Sequence, residues 1–132
     1  MDEPRKGSRA TRIALWVLCG LLAVLFLMAG GSKLAGAQPQ VEHFSKWGYP
    51  GWFRLLIGAV EAAAAVALMI PRVAALAAGV LAAVMAGAIY THVRHDEAMQ
   101  ALVPGVLLAL LACVGYLRRH GSRKMDSGEA DG

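Results

Sequence analysis

Apolar positions in this chain fall into four long blocks separated by short polar punctuation. Residues 13–34 are rich in Leu and end in Met28-Ala29-Gly30-Gly31-Ser32. Residues 52–70, 72–92 and 99–117 repeat the pattern with more Ala. Each block is near the roughly 20 residues that a tilted helix needs to cross a bilayer core of about 30 Å. A lone strand in hydrocarbon leaves its backbone groups unpaired, whereas a helix satisfies them internally. The expected fold is all-α: an integral membrane four-helix bundle with short loops and an interfacial segment between the first two helices.

The polar punctuation refines this. Pro71 separates the second and third blocks with almost no loop, and proline suits the first turn of a new helix. A tight antiparallel hairpin is expected there. The link over residues 94–97 is equally short. The longest link, 38–51, carries Val41, Phe44 and Trp47 at helical spacing, followed by Gly48-Tyr49-Pro50-Gly51-Trp52-Phe53. It reads as a short amphipathic piece on the membrane surface, with Trp47, Tyr49 and Trp52 at headgroup level. Pro104-Gly105 lies in the first third of the fourth block and predicts a kink.

Composition agrees: 58% of the 132 residues are hydrophobic and 17% charged, too apolar for a small soluble domain. The chain is expected to divide into a basic N-terminus (1–12), the bundle (13–117) and a disordered tail (118–132). Arg5, Lys6, Arg9, Arg12, Arg72, Arg118, Arg119, Arg123 and Lys124 fall on one side of a four-span topology. Lys33, Lys46, Arg54 and Arg94 fall on the other. That bias places both termini in the cytoplasm. A nucleic-acid partner is not expected, because the basic tails are short, mixed with acids and lack interleaved aromatics. The basic start, apolar run and Ala35-Gly36-Ala37 also fit a signal peptide. The run is longer than the usual signal core, however, and Lys33 lies before the site, so a retained anchor is the better reading.

Glu61 is the outlier. It sits at the midpoint of 52–70, about 14 Å of helix from either end. An ionised carboxylate facing lipid there would cost at least a few kcal/mol, so it should face the bundle interior. Gly58, Ala62, Ala64 and Ala65 make the helix thin around it, and neighbours can approach closely. Arg54 is two turns away, too far for contact along one helix, so an ionic partner should come from another helix. By depth, Lys33, Arg54, Tyr90 and His92 share one side of the membrane. Snorkelling to the interface is the plain expectation for Lys33 and Arg54. Together the four could instead line the mouth of a cavity with Glu61 at its floor. Glu61 is then either a latch between helices or part of a site.

Other candidates are weaker. Gly79, Ala83 and Gly87 form a small-residue seam that predicts close backbone packing. His92 and His95 at i and i+3, with Asp96 and Glu97, suggest a metal site, but no second His pair exists and a solvated polar helix end is the expected reading. No metal site is therefore assigned. Cys19 and Cys113 both fall in the third of the membrane nearer the termini, so a redox pair is conceivable. No neighbour in sequence would stabilise a thiolate, and packing is the expected role.

Several of these segments together resemble the DoxX and DoxX-like family of small four-helix bacterial membrane proteins. They are Met28-Ala29-Gly30-Gly31-Ser32-Lys33-Leu34, Phe44 to Trp47-Gly48-Tyr49-Pro50, Gly58-Ala59-Val60-Glu61, and Ala86 to His92. The resemblance implies a multi-pass protein of the bacterial plasma membrane. It points to Lys33 and Glu61 as the positions to carry over. The family's namesake is linked with a quinone-reducing thiosulfate oxidoreductase, and most members have no established activity. The expected function is an accessory or small-molecule-binding subunit, linked by analogy to a membrane quinone or thiol redox system, and more an accessory subunit than an enzyme. A proton-coupled transporter using Glu61 is one alternative. A small membrane enzyme acting on a quinone or lipid, with Tyr90 or His92 as the second group, is the other. No cofactor motif is evident, and quinone enters by family analogy alone. The expected partners are the lipid bilayer, redox subunits and a second copy of the chain.

Overall fold

The computed structural model describes Glu3–Asp131, with side chains described over residues 9–120. Five helices follow in order: α1 (Glu3–Leu34), α2 (Gln38–Lys46), α3 (Gly51–Leu68), α4 (Ala74–Arg94) and α5 (Leu102–Asp131). Arg118, Arg119 and His120 continue α5. The rest of the expected disordered tail, and the basic segment before Arg9, lie outside the described side chains.

Four stretches are long and apolar enough to cross a membrane: Arg9–Leu34, Gly51–Leu68, Ala74–Arg94 and Leu102–His120. α1 packs mainly on α3, α3 on α4, and α4 on α5. The shared core holds Leu15, Cys19, Leu22 and Phe26 of α1, Ala65 and Leu68 of α3, Leu81 and Met85 of α4, and Leu111 and Val114 of α5. Large apolar side chains such as Leu21, Met28, Leu76 and Val106 are left exposed, as expected when the outer solvent is hydrocarbon.

Both proline expectations change. Ile70-Pro71-Arg72-Val73 is a β-turn closed by Val73 N–H donating to Ile70 O at 3.1 Å. Pro71 occupies the second position of that turn, where its fixed φ is pre-set. α4 therefore starts at Ala74, after the turn, and not at the proline. Pro104 is not an interior position of α5. The helix begins at Leu102, so Pro104 falls in its first turn, where an N–H has no intrahelical partner to lose. Residues 97–101 form turns instead, which shortens the expected span at that end.

The ends of α1, α2 and α4 at one end of the bundle share a device. In each, the residue after the cap is left-handed: Gly36 (φ 72°), Gly48 (φ 81°) and Asp96 (φ 58°). The next residue donates its N–H back across the last turn: Ala37 to Ser32 O at 3.0 Å, Tyr49 to Phe44 O at 2.9 Å, and Glu97 to His92 O at 2.7 Å. These are Schellman endings. They fix the exits of three helices and with them the directions of Lys33, Trp47 and Glu97.

The small-residue seam of α4 is not a packing surface within the chain. A Cβ built on Gly79 or Gly87 would meet nothing within 4 Å, and Ala83 is exposed. The close approach lies elsewhere. A Cβ at Gly30 would fall 2.7 Å from Gly58 O and 2.8 Å from Ala62 N. One at Gly58 would fall 2.9 Å from both Gly30 O and Lys33 Cβ. The α1 and α3 backbones touch at this crossing, as the thin surface around Glu61 predicts.

Candidate functional site

That crossing delivers Lys33 to Glu61. The helices are antiparallel: the Lys33 stem lies against Gly58, Glu61 lies three residues further along α3, and the long lysine side chain reaches back along the thin surface to the carboxylate. Lys33 Nζ is 3.1 Å from Glu61 Oε1, with the side chains 13% and 2% exposed. Lys33 therefore turns inward and does not snorkel. Arg54 is half-buried, and its guanidinium donates to the Lys33 carbonyl. It braces the end of α1 and leaves the carboxylate to Lys33. Neither the recess at the α2 end nor the groove between α4 and α5 is lined by Glu61.

Tyr90 and His92 are placed apart from this pair. Tyr90 is exposed, and its hydroxyl accepts a hydrogen bond from Arg94 Nη1 at 2.8 Å. His92 joins a second cluster, centred on Glu97, that ties α2 to the α4–α5 link. Trp47 Nε1 donates to Glu97 Oε1 at 2.7 Å, and Lys46 Nζ lies 3.6 Å from Oε2. His92 Nδ1 is 3.8 Å from Oε1, buried and without a hydrogen-bond partner, while its ring meets Trp47 edge-on at 5.2 Å. Phe44 is the buried anchor of α2, packed against Trp47, Tyr49 and Phe53.

A parallel chain of hydrogen bonds runs beside it. Thr91 Oγ1 donates to Gly87 O at 2.9 Å, which spends its one hydrogen. Tyr49 must therefore donate to Thr91 Oγ1 across their 2.8 Å contact. His95 Nδ1 donates to Thr91 O at 2.8 Å. His92 and His95 thus turn to different partners. No group of three metal-ligating side chains converges among the described residues.

The hydrogen bond from Trp47 holds the Glu97 carboxyl below the usual carboxylate range. Lys46 and His92 act in the same direction, against the opposing effect of burial. A group whose pKa is lowered on folding stabilises the native state above its unfolded value and loses that contribution as pH falls through the folded value. The α2 clasp should therefore hold at and above pH 4.5, the ordinary value, and loosen only below it. Acid titration of Trp emission should show this, and Glu97→Gln should remove the transition. An emission change centred above pH 5, retained in the Gln variant, would assign it to another group.

One contact at the opposite end had no signal in the sequence. Arg118 Nη2 donates to Cys19 Sγ at 3.8 Å, and its guanidinium lies 5.1 Å from the centre of the Trp16 ring. Cys19 is buried and Cys113 exposed, and both are free thiols. Two helices far apart in sequence meet here, and no local spacing foretells it. The Glu97 clasp was equally hidden, because Trp47 and Glu97 each look like ordinary interfacial polar positions.

A curated relative, uncharacterized protein YdgD of Bacillus subtilis (strain 168), is 43% identical over 97 residues, covering 70% of this chain and 85% of that protein. No solved structure matches the chain. The family model of the DoxX-like family matches residues 17–114, a stretch that contains the glycine crossing, the Lys33–Glu61 pair and the Glu97 clasp. With four membrane-spanning helices arranged around these features, the chain is a multi-pass membrane protein and belongs to the DoxX-like family.

Proposed function

We propose that this protein is a non-catalytic accessory subunit of a bacterial plasma-membrane assembly, binding its partner or ligand at the α2 end of the bundle. The observation that carries this is the Lys33–Glu61 pair. The one carboxylate within the four spans, among the described residues, already has a largely buried cation 3.1 Å away. A carrier would need that acid free to exchange protons and substrate. An enzyme would need it beside open space and a second reacting group. Neither fits a latch braced by Arg54. The polar and aromatic groups left at a surface cluster instead around α2 and the end of α4. The positive charges favour cytoplasmic termini, which puts α2 on the outer side. Any redox role carried by the family would reside in partner subunits, with this chain as their membrane platform.

The test is affinity purification of the full chain from its native membrane in mild detergent. Specific partner subunits should co-purify with wild type. They should be lost when Trp47→Ala loosens α2 and be retained in the doubly apolar variant Lys33→Met/Glu61→Leu. Proton-driven uptake of a lipophilic cation into proteoliposomes, abolished by Glu61→Gln, would overturn the proposal in favour of transport.

A further inference from the structure

The α2 end contains a recess of about 340 Å³ lined by Trp47, Gly48, Tyr49, Tyr90, Arg94 and His95. Its position is interfacial. It sits where α3 begins at Gly51 and α4 ends at Arg94, and its three aromatic walls are the residue types that favour headgroup depth.

Two walls are held in place from behind. Trp47 is fixed by Glu97 and Tyr49 by Thr91, so the recess is preformed. Gly48 adopts φ 81°, and a Cβ there would meet nothing within 4 Å, which leaves that side open. The volume equals roughly ten waters at about 30 Å³ each, enough for a glycerophosphate group.

The charge in this recess is unbalanced. Arg94 is exposed and uses Nη1 on the Tyr90 hydroxyl. Its guanidinium has five N–H donors, and most remain unused. Among the described residues no carboxylate pairs with it: Glu61 is held by Lys33, and Glu97 by Trp47, Lys46 and His92. His95 donates through Nδ1 to Thr91 O, leaving Nε2 without a partner beside the recess. A planar guanidinium with free parallel donors matches two phosphate oxygens. The aromatic walls suit the glycerol and first acyl carbons.

We propose that this recess binds the phosphate-bearing headgroup of an anionic phospholipid, with Arg94 as the anion contact and Trp47 and Tyr49 as walls. The membrane surface is the source that fits, because the site opens at the depth where such headgroups lie. The proposal rests on reading the α2 end as the binding end, but it does not require a partner subunit.

The test is native mass spectrometry of the full chain released from nanodiscs of equimolar phosphatidylglycerol and phosphatidylcholine. Wild type should retain phosphatidylglycerol preferentially, by about tenfold, the scale of one charge-assisted contact. Arg94→Gln, an exposed change that should leave the helical circular dichroism intact, should abolish the preference. Arg119→Gln, at the opposite end, should preserve it. Equal retention of the two lipids, or an unchanged preference in Arg94→Gln, overturns the proposal. Displacement of phosphatidylglycerol by millimolar inorganic phosphate overturns the lipid assignment in favour of a soluble-anion site. Lipid preference without any co-purifying subunit would remove the accessory-subunit reading while leaving this site standing.

Discussion

Lys33→Met should destabilise the folded bundle by about 3–5 kcal/mol, among the largest single effects available in this protein. The substitution leaves the stem of the side chain and removes only the charge opposite Glu61. A buried carboxylate without its cation keeps the full desolvation penalty and loses the attraction that offset it. The partner variant Glu61→Leu should destabilise for the mirror reason, although Lys33 can relax by snorkelling from the end of α1. The double variant Lys33→Met/Glu61→Leu should return to within about 1–2 kcal/mol of wild type, because well-packed apolar pairs often replace buried ion pairs at little cost. Reversible unfolding in mixed detergent micelles, followed by far-ultraviolet circular dichroism, measures all three. Additive losses in the double variant would show that the two residues do not act as a pair. Arg54→Gln is a useful companion: it should weaken the end of α1 without separating Lys33 from Glu61.

The second large effect is expected at the glycine crossing. Gly30→Val places a branched side chain where a single Cβ would already lie 2.7 Å from Gly58 O and 2.8 Å from Ala62 N. Both obstacles are backbone, so neither can rotate away and the helices must separate. Overpacking of this kind costs about 1–3 kcal/mol or more, and here it also pulls the Lys33–Glu61 pair apart. Gly58→Val should behave alike. The control is sharp: Gly79→Ala and Gly87→Ala meet nothing and should be neutral or stabilising by up to about 1 kcal/mol through helix propensity. The same unfolding assay separates the two pairs of glycines. Equal sensitivity at all four would mean that α4 also packs through its glycines.

Sequence and structure agree where one physical constraint dominates. The four spans were legible because hydrocarbon imposes both length and apolarity on a helix. The thin surface around Gly58 and Glu61 was legible because only small residues permit backbone contact. Where two outcomes share one pattern, the sequence could not choose. Gly79-x-x-x-Ala83-x-x-x-Gly87 and Gly30 with Gly58 use the same residue types, yet only the latter pair is packed within the chain. Pro71 marked a boundary correctly in kind, but a turn position and a helix's first turn are separated by only a few residues. Pro104 read as a kink because the apolar block starts at Met99, three residues before α5 begins at Leu102. Lys33 could point up or inward, and the Schellman ending at Gly36 together with Arg54 settles its direction. The Trp47–Glu97 clasp joins residues fifty positions apart through a loop whose path no periodicity describes.

The Lys33–Glu61 pair also has a consequence for biosynthesis. Its two halves leave the ribosome at different times, α1 first and α3 only after the amphipathic α2 has been made. Until then Lys33 must wait near the water boundary, where its ammonium can stay hydrated at the end of α1. Glu61 has no such refuge, since it lies mid-helix with apolar turns on both sides. The helix that carries the acid settles in the bilayer more favourably beside a helix already there, because a lone mid-membrane carboxylate costs a few kcal/mol. The ion pair therefore favours an order of assembly, in which α1 receives α3 before the remaining helices join.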